Sequence, residues 1–145
     1  MAREILFRGK RTDNGVWAYG FLVDKIYGSK PVIVQAAYME DDCSIEWEYE
    51  HVDPATVGQY TGLKDENGKR IFEGDIVRFY ERQLGGEDAP IIQQVGYEEG
   101  GFCVHRYFLN NWLRNAVNGN IQLEGIEVIG NIHDNPELMK EDHHD

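Results

Sequence analysis

No apolar run in the 145 residues approaches the roughly 18 needed to cross a bilayer as a helix, so no membrane span is expected. Cysteine is scarce. Cys43 and Cys103 are the only two, and they show neither C-x-x-C nor metal-like spacing. They read as reduced thiols, and the first residues carry no signal-peptide pattern, so the expected compartment is cytoplasmic. G-x-S-x-G, C-x-x-C and H-E-x-x-H are all missing. The pairs Gly85-Gly86 and Gly100-Gly101 lack the Lys-Ser/Thr and the strand-to-helix setting of a phosphate loop. No catalytic, cofactor-binding or metal residue is assigned, and a non-enzymatic protein is expected. Cations are also few: 14 Lys and Arg against 26 Asp and Glu give a net charge of −12. That disfavours recognition of nucleic-acid phosphates, which needs a positive patch.

The charge that is present is unevenly placed. Glu40, Asp41, Asp42, Glu46, Glu48, Glu50 and Asp53 fall in a stretch without Lys or Arg, whereas Arg3, Arg8, Lys10 and Arg11 make the start locally basic. From Ser44 to Tyr49 the residues alternate, with Ile45, Trp47 and Tyr49 on one face of a strand and Glu46, Glu48 and Glu50 on the other. Strand geometry spaces those three carboxylates about 7 Å apart. The plain reading is a solvated face; the sharper one makes Glu46, Glu48 and Glu50 a candidate interaction face for a basic partner. A bound cation there ranks lower.

Period-two patterning recurs along the chain. Strands are expected over Glu4–Arg8 and Val16–Val23, paired as a hairpin through Asp13-Asn14-Gly15, and again over Val32–Val34. Asp53-Pro54 suits an N-cap and first position of a very short helix. Later strands are expected over Asp75–Phe79, Ile91–Tyr97, Phe102–Tyr107 and Ile126–Ile132. Phe108, Leu109, Trp112, Leu113, Ala116 and Val117 fit one face of a helix that Asn118-Gly119 would end. Asn135-Pro136 would cap a further short turn, and 140–145 reads as a frayed tail.

The least generic stretch is Gln59–Val77. Asn67-Gly68 is a strong signal for a two-residue type I′ turn, and Gly62 and Gly74 mark positions where the backbone can leave the usual L-residue regions. Asp75 suits a hydrogen bond to turn amides, and Asp65 and Glu73 are read the same way rather than as catalytic groups. Pro54, Thr56–Asp65, Asn67-Gly68-Lys69 and Phe72–Val77 together resemble the YopX family, small proteins encoded mainly by phages and prophages. Val128-Ile129-Gly130-Asn131-Ile132 with Asn135-Pro136-Glu137-Leu138, and the opening Arg3–Arg8, resemble it too. Between Lys25 and His51, and between Glu81 and Gln122, no family motif matches. The resemblance implies ancestry and a host-cell location, and it supplies no biochemical role.

The expected fold is mainly β, with a β-rich α+β arrangement as the alternative. Residues 1–145 form a single YopX-like domain, with an N-terminal β layer over about 1–58. A hairpin and a small SH3-like barrel follow over about 59–135, with one or two short helices. Cys103 and His105 would share a strand face, but no activating group accompanies them, and Cys103 reads as a small core residue. His133-Asp134 with His143 and Asp145 would make only an adventitious metal site. Of the aromatics, Trp17, Trp47 and Trp112 with eight Tyr and six Phe, most are expected in the core and a remaining exposed cluster at a subunit interface. The functional expectation is an acidic accessory protein that binds a protein partner and forms a homo-oligomer. The alternative is a nucleic-acid-associated module using Arg3, Arg8, Lys10, Arg11, Lys69 and Arg70; an enzyme whose site assembles only in three dimensions ranks below both.

Overall fold

The computed structural model describes residues 4–26, 30–38, 45–81, 85–86, 88–112, 114–117 and 120–141. The chain divides into two compact units, Met1–Tyr60 and Thr61–Asp145.

In the first unit β1 (Phe7–Lys10), β2 (Trp17–Ile26), β3 (Lys30–Tyr38) and β4 (Ile45–His51) form an antiparallel meander, and the start of β5 (Gly58–Lys64) pairs with the other side of β1. The expected first hairpin is β1–β2, with Arg8 opposite Tyr19 and Lys10 opposite Trp17. In its turn the Val16 amide donates to Asn14 Oδ1 at 2.9 Å. Asp53 caps a single 3-10 turn over Pro54–Thr56, its carboxylate accepting from the Ala55 amide at 3.0 Å. The Thr56 hydroxyl then accepts from the Lys10 amide at 2.8 Å, which closes the turn back on β1. Ala18, Ile33 and Val52 form the buried centre of this unit, with Phe7, Leu22 and Val57 packed against them.

The second unit begins inside β5. β6 (Arg70–Phe72) pairs with β5, and β7 (Asp75–Glu81), β8 (Ala89–Glu98), β9 (Gly101–Val104) and β10 (Tyr107–Phe108) follow. After them come β11 (Arg114–Val117), β12 (Asn120–Leu123), β13 (Glu127–Asn131) and one helical turn, α1 (Glu137–Glu141). One antiparallel sheet runs in the order β10-β9-β8-β7-β13, while β11 and β12 form a hairpin whose β12 meets β5 in parallel at Gln122 and Lys64. The core here is larger: Ile71, Val77, Phe79, Val95, Val104, Leu109, Leu123 and Ile126 are buried together. The mainly β class holds, but the strands of the described residues lie in open sheets and close no SH3-like barrel.

Several local expectations change, two of them at turns of the second unit. Phe108–Val117 is not a helix: Leu109–Asn111 forms one 3-10 turn and Arg114–Val117 is a strand. The apolar spacing of Phe108, Leu109 and Trp112 is used up by that turn, after which Val117 pairs opposite Asn120. Asn118-Gly119, which lies outside the described residues, is in sequence a hairpin signal as much as a helix stop. The Asn67-Gly68 turn is also not of type I′, because only Gly68 has a positive φ, +81°. Asp65 and Lys69 close a longer loop instead. The Asp65 amide donates to Lys69 O at 2.8 Å and the Gly68 amide to Asp65 O at 3.0 Å. This is a type I turn followed by a glycine in the left-handed region. The two-residue primed turn occurs at Glu99-Gly100, where φ is +51° and +81°.

Asp65 holds this unit together at a point where no water reaches it. Its Oδ1 accepts from the Asn67 and Lys69 amides, both at 2.9 Å, and its Oδ2 from the Val128 amide of β13, also at 2.9 Å. Asp75 does the same on a smaller scale, accepting from the Phe72 amide at 2.7 Å across the turn that contains Gly74 (φ +92°). At the far end Gly130 lies so close to Asn135 that a Cβ would meet its Oδ1 at 2.6 Å. That same Oδ1 accepts from the Asn131 amide at 3.2 Å, and the Pro136 turn follows directly.

Replacing Asp65 by Ala strands three amides, two of the loop and one of β13, and should lower stability by about 3 kcal/mol or more in urea unfolding. Gly130→Ala should cost roughly 1–3 kcal/mol by pushing the Asn135 carboxamide off its amide donor, measured in the same way.

Candidate functional site

In an antiparallel pair, residues directly opposite one another share a face. Phe21, Val34 and Tyr49 stand in one such row across β2, β3 and β4. Val23, Val32 and His51 form the next row, and Arg8–Tyr19 and Lys10–Trp17 continue the same face onto β1. The opposite face carries Gly9, Ala18, Leu22 and Ile33, and it is the one that packs the core of the unit.

Small residues decide which side is which. A Cβ on Gly9 would lie 2.9 Å from the Val52 side chain, and one on Gly20 would lie 2.3 Å from the Val34 carbonyl oxygen. The packed side has no room for large groups at these points, so the bulky alternates turn outward. Tyr19 is 43% exposed, Phe21 58%, Trp47 51% and Tyr49 58%. The expectation that most aromatics are core therefore fails in this unit. Val32 and Val34 on the same outer face are nonetheless buried, as the centre of a patch whose large neighbours stand around them.

The charge is sorted by face as well. Over Phe7–Lys10, Trp17–Val23, Val32–Val34 and Trp47–His51 the aromatic face holds no Asp or Glu among the described residues. Its cations lie toward the β1 side. The Arg8 guanidinium is buried 4.5 Å from the centre of the Trp17 ring, and the Lys10 ammonium lies 5.5 Å from it. Arg11 belongs to the other side, where it makes a two-point contact with Asp13 and an ion pair with Glu50 at 3.2 Å. The basic group read from the sequence is thus divided between faces, and its member Arg3 lies outside the described residues.

Within β4, Glu48 and Glu50 alternate with Trp47 and Tyr49. Glu50 is held by Arg11, and Glu48 accepts from Gln35 Nε2 at 3.2 Å. Glu46 stands in register with Ala37. The earlier part of the acidic stretch, Glu40 to Asp42, and Cys43 lie outside the described residues.

The remaining candidates take structural positions. Asp65 and Asp75 are spent on turn amides. Gly62, in β5, has a φ of +85°, beside the buried Thr61 hydroxyl that donates to Ile71 O at 2.8 Å. Asn131 Oδ1 accepts from the His133 and Asp134 amides, so His133-Asp134 forms a side-chain-closed turn; His143 and Asp145 lie outside the described residues. The strand expected over Phe102–Tyr107 breaks at His105, which has a φ of +56° in the turn between β9 and β10. Cys103 and His105 border one shallow cavity of about 290 Å³. Burial, and then the negative charge of Glu98, push the Cys103 thiol up, away from the thiolate a nucleophile needs. Among the described residues no group of three or more His, Cys, Asp or Glu could hold a metal ion.

Sequence reading missed the outward aromatic face, although Gly9, Ala18 and Gly20 signal it. Three small residues on one face of a hairpin mean close packing there, and the large residues alternating with them must face away.

No helix of the described residues is long and apolar enough to cross a membrane. No curated protein matches the chain. The crystal structure of protein EF1440 from Enterococcus faecalis is similar, with a TM-score of 0.59 and 24% identity over 95% of this chain and 99% of that one, a likeness of fold. The family model described as YopX protein matches residues 6–140, which include the Gln59–Val77 stretch and the Val128–Leu138 block. The chain belongs to the YopX family.

Proposed function

We propose that this protein is a non-enzymatic accessory protein, phage- or prophage-derived and acting in the host cytoplasm, that works as a protein-binding module. Its binding surface is the aromatic face of β1–β4, and its first partner is a second copy of the chain. The observation that carries this reading is the set of four large aromatic rings, each about half exposed, on a sheet face without carboxylates among the described residues.

The area and the charge both support self-association. Four half-exposed aromatic side chains present roughly 400 Å² of mainly apolar surface. A standard interface takes about 800 Å² from each partner and is a little over half apolar, so the rings match its apolar share. Two chains of net charge −12 repel over most of their surfaces. They can approach where no carboxylate must be buried, and Lys10 and His51 at the edges give that patch a polar rim.

The acidic row Glu46, Glu48 and Glu50 supports docking of a basic partner less well, since Arg11 and Gln35 already engage two of its members. The nucleic-acid reading ranks lower again. Stacking rings are present, but Arg8 and Lys10 lie over Trp17 and Arg11 is on the other face.

In sedimentation equilibrium at micromolar concentration the wild type should have at least twice the single-chain mass. Phe21→Ser with Tyr49→Ser should be monomeric with an unchanged circular dichroism spectrum, because both positions are outside the core. A monomeric wild type sinks the proposal.

A further inference from the structure

The C-terminal unit holds a second aromatic group of a different shape. Phe79 lies on the inner side of β7, Tyr107 on β10, and Trp112 just after the 3-10 turn Leu109–Asn111. The Phe79 and Trp112 ring centres are 5.0 Å apart with planes at 89°; Tyr107 and Trp112 are 5.9 Å apart at 87°; Phe79 and Tyr107 are 6.2 Å apart at 83°. The three rings pack edge to face around one corner, with Phe79 nearly buried and Tyr107 36% exposed. All three line one cavity of about 360 Å³, together with Glu81 and Arg106. The Trp112 indole N–H donates to the Glu124 carbonyl at 2.8 Å, which fixes the orientation of that wall.

Glu81 supplies the charge. Its Oε1 accepts from the Tyr107 hydroxyl at 2.6 Å and from Arg106 Nη2 at 3.2 Å. The Tyr107 hydrogen bond, opposed by partial burial and helped by the Arg106 charge, holds the carboxyl below its usual range. The same hydrogen bond pushes the phenol up, so Tyr107 keeps its proton and Glu81 stays ionised. The Arg106 guanidinium lies 5.9 Å from the Tyr107 ring centre, so one cation of the chain already uses this aromatic wall, from an exposed position at the rim.

We infer that the cavity bounded by Phe79, Tyr107 and Trp112, with Glu81 at its edge, binds an alkylated ammonium group. Aromatic faces attract a cation through the ring quadrupole, and a quaternary ammonium, which has no N–H to satisfy, suits walls that are rings rather than acceptors. A volume of about 360 Å³ leaves room for a small head group. Arg106 competes for the same wall and carboxylate, so the ligand must displace it or share Glu81 with it. The site uses none of the residues of the N-terminal sheet face, and it stands or falls independently of self-association.

The test is a titration of the full chain with choline, followed by the Trp112 indole resonance. A saturable shift is expected, with the neutral tert-butyl isostere of choline about tenfold weaker. Glu81→Gln should weaken binding about fivefold or more, and Arg106→Ala, at an exposed position that the fold does not need, should strengthen it several-fold. A trimethyllysine peptide that binds more tightly than choline would place the cation on a partner chain; equal affinity would make it a free small molecule. No saturable shift in either the wild type or Arg106→Ala, or equal binding of the neutral isostere, overturns the inference.

Discussion

A single buried carboxylate organises the C-terminal unit. Burying an ionised group without donors is among the costliest things a fold can do, and Asp65 is fully buried. Three backbone amides make it tolerable, two from its own loop and one from Val128, 63 positions away in sequence. Because both oxygens are engaged, the loop cannot change its geometry without releasing β13, and β13 cannot slip its register without releasing the loop. Asp75 repeats the arrangement over three residues. Both carboxylates hold backbone in place. The Gln59–Val77 stretch thus carries two carboxylates that close its turns.

What the N-terminal unit offers instead is a sheet with two unlike sides. Glycine and alanine on one side allow Val52 and the β3 backbone to approach within contact distance. The alternates on the other side are among the largest residues in the chain. The same alternation separates charge, because Glu48 and Glu50 share a side with Arg11 while Trp47 and Tyr49 share theirs with Lys10 and His51. An acidic protein therefore carries a face on which strand periodicity places no acid among the described residues. Four exposed rings there cost solubility, and a covered face is the simplest physical account of why they are tolerated.

Much of this was legible in the residues. The first hairpin, the Asp53-Pro54 cap, the Asp75 turn and the strand that follows it are all local matters, decided by alternation and by turn chemistry acting over a few positions. The failures share a cause. Phe108, Leu109 and Trp112 are spaced as well for one 3-10 turn as for a helix, and only the pairing of Arg114–Val117 with Asn120–Leu123 decides between them. The Asn67-Gly68 turn has its type set by Asp65, whose second oxygen is committed to a distant strand. Alternation showed that Trp17, Tyr19 and Phe21 share a side, but not that the side faces out. That depends on whether a neighbour can be packed against Gly9 and Gly20, which is a property of Val52 and Val34. The perpendicular rings come from three separate elements, and nothing in their spacing brings them together.

The two aromatic groups differ in the partner that each geometry can serve. On the β2–β4 face the rings stand side by side over a valine floor, each half open. Such an array gains most by being covered with another extended, mainly apolar surface, since every ring then loses water at once. Phe79, Tyr107 and Trp112 meet edge to face at a cavity, with Phe79 nearly buried, and offer no extended surface of that kind. Their gain comes from a compact group seated in the corner, and the sign of its charge follows from the electron-rich ring faces and from Glu81. The buried Phe79, unlike the exposed rings of the β2–β4 face, is also part of the core, so its wall is as rigid as the packing behind it. That wall is fixed by core packing, whereas the Arg106 contact at the rim is exposed, so any ordering on binding would fall on Arg106.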